Sequence, residues 1–137
     1  MRPSFKSSLA PRRAFKSSPV MFAVCVMSSP LFANAATCEW SQRFASDVAS
    51  HGARAKDSTN DLEAKWLARD ARLPAVNGAD EAKACGCTAA IPSFEEAAMQ
   101  AMYADRATSL TAAKQYGHRI KAAADKALDA LRRCAGS

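Results

Sequence analysis

The chain has 137 residues, with 19 Lys and Arg against 13 Asp and Glu, a formal net charge of +6 and five cysteines. The excess charge is local. Arg2, Lys6, Arg12, Arg13 and Lys16 fall in residues 1–35, which hold no acid, so residues 36–137 carry 14 bases against 13 acids, a net of +1. A near-neutral body lacks the global basic charge that nucleic-acid binding draws on.

Residues 1–35 read as an export signal. The basic segment is followed by an apolar run over residues 20–27, then Ser28, Ser29 and Pro30, and then the small-residue site Ala33-Asn34-Ala35. That order of charge, apolar core and small-residue site is the secretory pattern. The apolar run is far shorter than the roughly twenty residues a membrane-spanning helix needs. The expectation is cleavage near Ala35 and a periplasmic or secreted protein with no membrane span. Arg12-Arg13 leaves a twin-arginine route open beside the general one.

Residues 36–137 form one small domain. Its large aliphatics are Val48, Leu62, Leu67, Leu73, Val76, Ile91, Leu110, Ile120, Leu128 and Leu131, while alanine supplies about a quarter of the segment. Alanine is the best helix former and has little side chain to bury. Willing helices around a thin core are therefore expected, a combination that calls for covalent staples in an exported domain.

In chain order, Thr37 is placed to cap a first helix whose apolar face is Trp40, Phe44 and Val48, with Gly52 weakening it late. Asp57-Ser58-Thr59-Asn60-Asp61 reads as a break, since all five residue types favour caps and turns. Asn60 followed by Glu63 opens a second helix through Leu62, Trp66, Leu67 and Leu73, closed by Pro74. Residues 74–92 read as a long connection, marked by Asn77-Gly78 and Gly86 and at most one helical turn from Asp80 to Ala84. Ser93 and Glu96 have capping-box spacing for a helix through Ala98, Met102 and Tyr103. A stop at Thr108-Ser109 and a continuous helix are both compatible with the pattern. From Leu110, the positions Ala113, Tyr116, Ile120, Ala124, Leu128 and Leu131 keep one stripe. No segment has strand character. The fold class is all-α, a small bundle of three to four helices stapled by two disulfides.

Cys38, Cys85, Cys87 and Cys134 are the staples. An unbroken helix over residues 38–72 would be roughly 52 Å long, beyond the about 45 Å that the next thirteen residues can span. In that case Cys38 meets Cys134, and Cys85 and Cys87 are left to each other. A break at 57–61 instead brings the chain back, and both termini can be sewn to the Cys-Gly-Cys loop in either order. The turn-rich break favours the sewn bundle.

The functional class follows less directly. No zinc-protease helix, haem-attachment motif or nucleophile signature is present, which speaks against an enzyme, and no cofactor is expected. The expected function is binding to a protein partner, as an inhibitor, adaptor or immunity-type module. Lys114, Arg119, Lys121 and Lys126 on the last helix form the candidate partner surface. The alternative is a thiol-redox or soft-metal protein in which Cys85, Cys87, Met99, Met102 and His118 serve Cu(I), since thiolates and thioethers are soft ligands. Trp40 and Trp66 are core residues in an ordinary bundle and interface anchors if exposed.

Overall fold

Helix formation in this chain follows its alanines and its caps. In a computed structural model that describes residues 37–136, the elements are α1 (Glu39–Asp57), α2 (Asp61–Asp70), α3 (Arg72–Ala84), a 3-10 turn (Thr88–Ala90), α4 (Ile91–Ala104) and α5 (Leu110–Ala135). The expected export signal lies outside the described residues. α2 and α3 are separated by Ala71 alone and form one arm, so the chain runs up and down through four arms. The class is as expected: an all-helical bundle with two disulfides.

The break after α1 forms where the turn-rich run placed it. Asn60 Oδ1 accepts the Glu63 N–H at 3.1 Å, while the buried Ser58 hydroxyl accepts the Asn60 N–H at 3.1 Å and donates to the Glu63 carboxylate at 2.8 Å. The stop left open at Thr108-Ser109 is also real. Ser109 is extended and its Oγ accepts the Ala112 N–H at 3.2 Å, capping α5.

Five local expectations are corrected. Residues 72–84 are helical, so the long connection shrinks to the cysteine turn and the short 3-10 segment. Pro74 does not close α2. It sits in the first turn of α3, where a missing N–H is tolerated, and it cannot donate to the Asp70 carbonyl, which accounts for the interruption at Ala71. Asn77-Gly78 is not a turn either. The ring of Phe94 lies where a Gly78 side chain would be, and the buried Ser41 hydroxyl donates to the Gly78 carbonyl at 2.8 Å. Three arms meet at that glycine. Finally, α4 starts two residues before Ser93, with Pro92 in its first turn and no side-chain cap. Thr37 likewise does not cap α1, whose N-cap is Cys38.

The core is as thin as composition implied. Most buried positions are alanine, and the large side chains fully enclosed are Phe94, Leu67, Ile120, Leu131 and Val48. Small residues also decide which face of α1 turns inward. Its buried stripe is Ser41, Ala45, Val48, Gly52 and Ala55, which rotates Trp40 and Phe44 away from the expected position. Arms faced with small residues approach closely. A Cβ on Gly52 would stand 2.6 Å from the Lys121 nitrogen, and one on Gly117 would stand 2.7 Å from the Lys56 nitrogen. α1 and α5 therefore cross backbone to backbone, antiparallel.

Both bridges lie at one end of the bundle. Cys38 at the start of α1 joins Cys85 after α3, with Cα atoms 5.5 Å apart. Cys87 before α4 joins Cys134 near the end of α5 at 5.8 Å. This is the sewn arrangement, with its order resolved. Gly86, at φ 81°, turns the chain between the two bridged cysteines.

Two outcomes are expected. Non-reducing peptide mapping, with fragmentation on either side of Gly86, yields the pairs Cys38–Cys85 and Cys87–Cys134 and no other. Gly52→Ala, which would gain about 1 kcal/mol on an isolated helix, instead costs about 1–3 kcal/mol through overpacking at the crossing, as measured by urea unfolding of the oxidised protein.

Candidate functional site

The position of each candidate residue follows from the arms. All four sulfurs are consumed in the two bridges, so Cys85 and Cys87 present no thiolate while the bridges are closed. Met99 and Met102 lie on the outward face of α4 and are exposed. Met99 stands about 12 Å along the helix from Ile91 at 1.5 Å per residue. His118 is on the exposed side of α5. The sulfur, thioether and imidazole groups of the copper reading are therefore not gathered. Among the described residues, no group of three or more His, Cys, Asp or Glu is placed to hold a metal ion.

The basic residues of α5 do not share one face. At 100° per residue, Lys114 and Lys121 lie roughly 140° around the helix from Arg119 and Lys126. Gly117, on the Lys114 side, meets α1. Tyr116, on the Arg119 side, meets Tyr103 of α4 with ring centroids 6.3 Å apart. Asp125 and Asp129 occupy the outward line between the two flanks, and Asp125 pairs with Lys121 at 2.6 Å. Arg119 stacks over Tyr116 at 5.8 Å. The candidate partner surface is thus two separate flanks with acids between them.

The surface that stands out is the α2–α3 arm. Leu62 is 76% exposed, Trp66 54%, Leu73 68% and Val76 44%. Every one of the ten large aliphatics named above that is exposed lies on this arm, while the other seven are buried or partly buried. Leu62 and Trp66 are one helical turn apart and line a shallow cleft of about 540 Å³ with Asn60 and Glu63. Trp40 is exposed too, near the bridged end, where the Arg43 guanidinium lies 4.8 Å from its ring. Both tryptophans are therefore exposed, and neither is core.

A second groove of about 670 Å³ opens where α2 gives way to α3, lined by His51 of α1 together with Arg69, Asp70, Arg72, Leu73, Pro74 and Val76. Arg69 and Asp70 of α2 and Arg72 at the start of α3 supply its charge, and Leu73, Pro74 and Val76 of α3 its apolar wall. Sequence reasoning missed it because Pro74 was read as the end of a helix and the residues after it as loop. The available signal was the pairing of Arg69 and Arg72 with the Leu73-Pro74 step, three residues apart on a face that continues past the proline.

No helix among the described residues is long and apolar enough to cross a membrane. Comparison of the chain with protein-family models, with curated proteins and with solved structures returns no match.

Since Leu62 is mostly exposed and Trp66 only about half so, Leu62→Ser is expected to change unfolding free energy by less than about 0.5 kcal/mol and Trp66→Ser to cost about 1–3 kcal/mol. Leu67→Ala, one residue away and buried, is expected to cost about 2–5 kcal/mol. Urea titrations of the three variants check the contrast.

Proposed function

We propose that the protein is an exported helical binding module that docks a protein partner on the solvent face of its α2–α3 arm. The observation that carries the reading is the placement of large apolar side chains. A domain with so few of them would gain stability by enclosing each one. Instead Leu62, Leu73 and Val76 face solvent together with Trp66 on a single arm. Apolar groups clustered on one face mark an interaction surface, and tryptophan is among the residues that most often dominate binding energy. The stapled frame supports the same reading, because a surface held rigid loses less entropy when a partner docks. The two basic flanks on α5, of which Lys121 is paired with Asp125, are peripheral to this surface.

The test is position-dependent photo-cross-linking in the native exported fraction, with a photoreactive residue at Leu62, Trp66 or, as a control on another arm, Thr111. The expected result is one heteromeric adduct from the α2 positions and none from Thr111, abolished by Leu73→Asp. Absence of an adduct, equal yield from Thr111, or an adduct of twice the chain's own mass would overturn the reading.

A further inference from the structure

The groove at the α2–α3 junction narrows what the partner must present, and this inference rests on the arm being the docking surface. We infer that the groove takes a peptide segment carrying a carboxylate beside an aliphatic side chain. The carboxylate is held by Arg69 and Arg72, and the aliphatic group lies against Leu73, Pro74 and Val76.

Three observations carry this. The first is charge. Two guanidinium groups line the groove against one carboxylate, Asp70. Arg69 Nε stands 3.8 Å from Asp70 Oδ1, too far for a hydrogen bond, so the donor fork of Arg69 is not committed to it. Arg72 has no ion pair or hydrogen bond among the described residues. Arginine forks match a carboxylate in two-point geometry.

The second is His51. Its Nδ1 is buried and has no hydrogen-bond partner, although the residue lines the groove. Buried polar atoms are nearly always satisfied; this one is closed to solvent, so a peptide group in the groove pairs with it once the imidazole turns outward.

The third is the apolar wall. Leu73 and Val76 are exposed, and Pro74 beside them has no N–H to offer a polar ligand. A bare anion would use the arginines and leave this wall wet. A segment with an aliphatic group next to its acid uses both halves. The groove lies on the same arm as Leu62 and Trp66, so one partner chain passing along α2–α3 meets the tryptophan and the arginines in turn. A volume of about 670 Å³ accommodates two or three side chains, within the range of ordinary ligand sites.

The experiment is an amide-resolved NMR titration of the oxidised protein with two blocked peptides, one alternating leucine and aspartate and the other with asparagine in place of aspartate. Inorganic phosphate is titrated in parallel. The expected result is shift changes confined to His51 and residues 69–76, with the aspartate peptide binding at least tenfold more tightly than the asparagine one. Arg69→Gln combined with Arg72→Gln removes that ratio, whereas Thr111→Ser, on another arm, leaves it intact. The spectra themselves report whether each variant is folded. Equal affinity for the two peptides, shifts centred elsewhere, no shifts at millimolar peptide, or phosphate binding as tightly as the aspartate peptide would overturn the inference. If cross-linking from Leu62 still yields its adduct in that case, the docking surface stands and only the chemistry assigned to the groove falls. Failure of the cross-linking with the peptide ratio intact separates the two the other way.

Discussion

The two bridges meet across a single residue, and the rest of the bundle depends on that arrangement. Cys38–Cys85 closes a loop containing α1, α2 and α3, and Cys87–Cys134 closes one containing α4 and α5. The loops follow each other in sequence, separated only by Gly86. Each spans 47 residues, so in the chain-entropy account each removes up to about 4 kcal/mol of denatured-state freedom, against a whole-domain margin of about 5–15 kcal/mol. Because neither loop encloses the other, each restricts a different part of the unfolded chain. The left-handed backbone at Gly86 lets the bridged cysteines on either side of it leave in different directions, a conformation that a side chain would strain.

Strong staples permit a weak core, and a weak core has its own geometry. Alanine and glycine at the arm contacts let the backbones of α1 and α5 come into near contact at Gly52 and Gly117. Dispersion contacts at that range are numerous although each is small. The same close approach leaves no room inside for additional bulk. Leu62, Trp66 and Leu73 could not be turned inward without pushing the arms apart, so their exposure is compatible with the packing as well as with a role in binding. What packing alone does not explain is why they are large. A surface position with no partner is served equally well by Lys, Glu or Ala, all good helix formers.

Legibility in the sequence tracked how local each determinant is. The break at 57–61, the Asn60 cap and the meeting of all four sulfurs at one end depend on short-range chemistry and chain length, and these could be read. The order of the two bridges depends on which termini face each other across the bundle, and spacing alone allowed either. Residues 74–84 read as connection, with at most one helical turn from Asp80 to Ala84, because Pro74 and Asn77-Gly78 are breakers by local rule. Their helical placement depends on tertiary partners, the Phe94 ring and the Ser41 hydroxyl, that lie far along the chain. The buried stripe of α1 was misread for a related reason. Periodicity of bulky residues pointed to Trp40 and Phe44, whereas closely approaching arms select for small ones. The candidate surface inherited both errors, since the groove is formed by the misread segment and the tryptophans were first placed by hydrophobicity.

Pro74 connects these points to function. A continuous helix from residue 61 to 84 would present a smooth face, with Arg69 and Arg72 following the helical rise beside Leu73. Interrupting the ladder at Ala71 opens a groove at that level, beside His51 of α1. A proline in a helix's first turn costs little, so the interruption is inexpensive in stability, while Gly78 and Ser41 hold the second half of the arm against its neighbours. The arm is thus held by the Cys38–Cys85 bridge just beyond its far end, docked at Gly78 and opened at Ala71. A frame fixed on both sides of an opening keeps the opening's shape, and a binding groove of constant shape pays little to reorganise when it is filled.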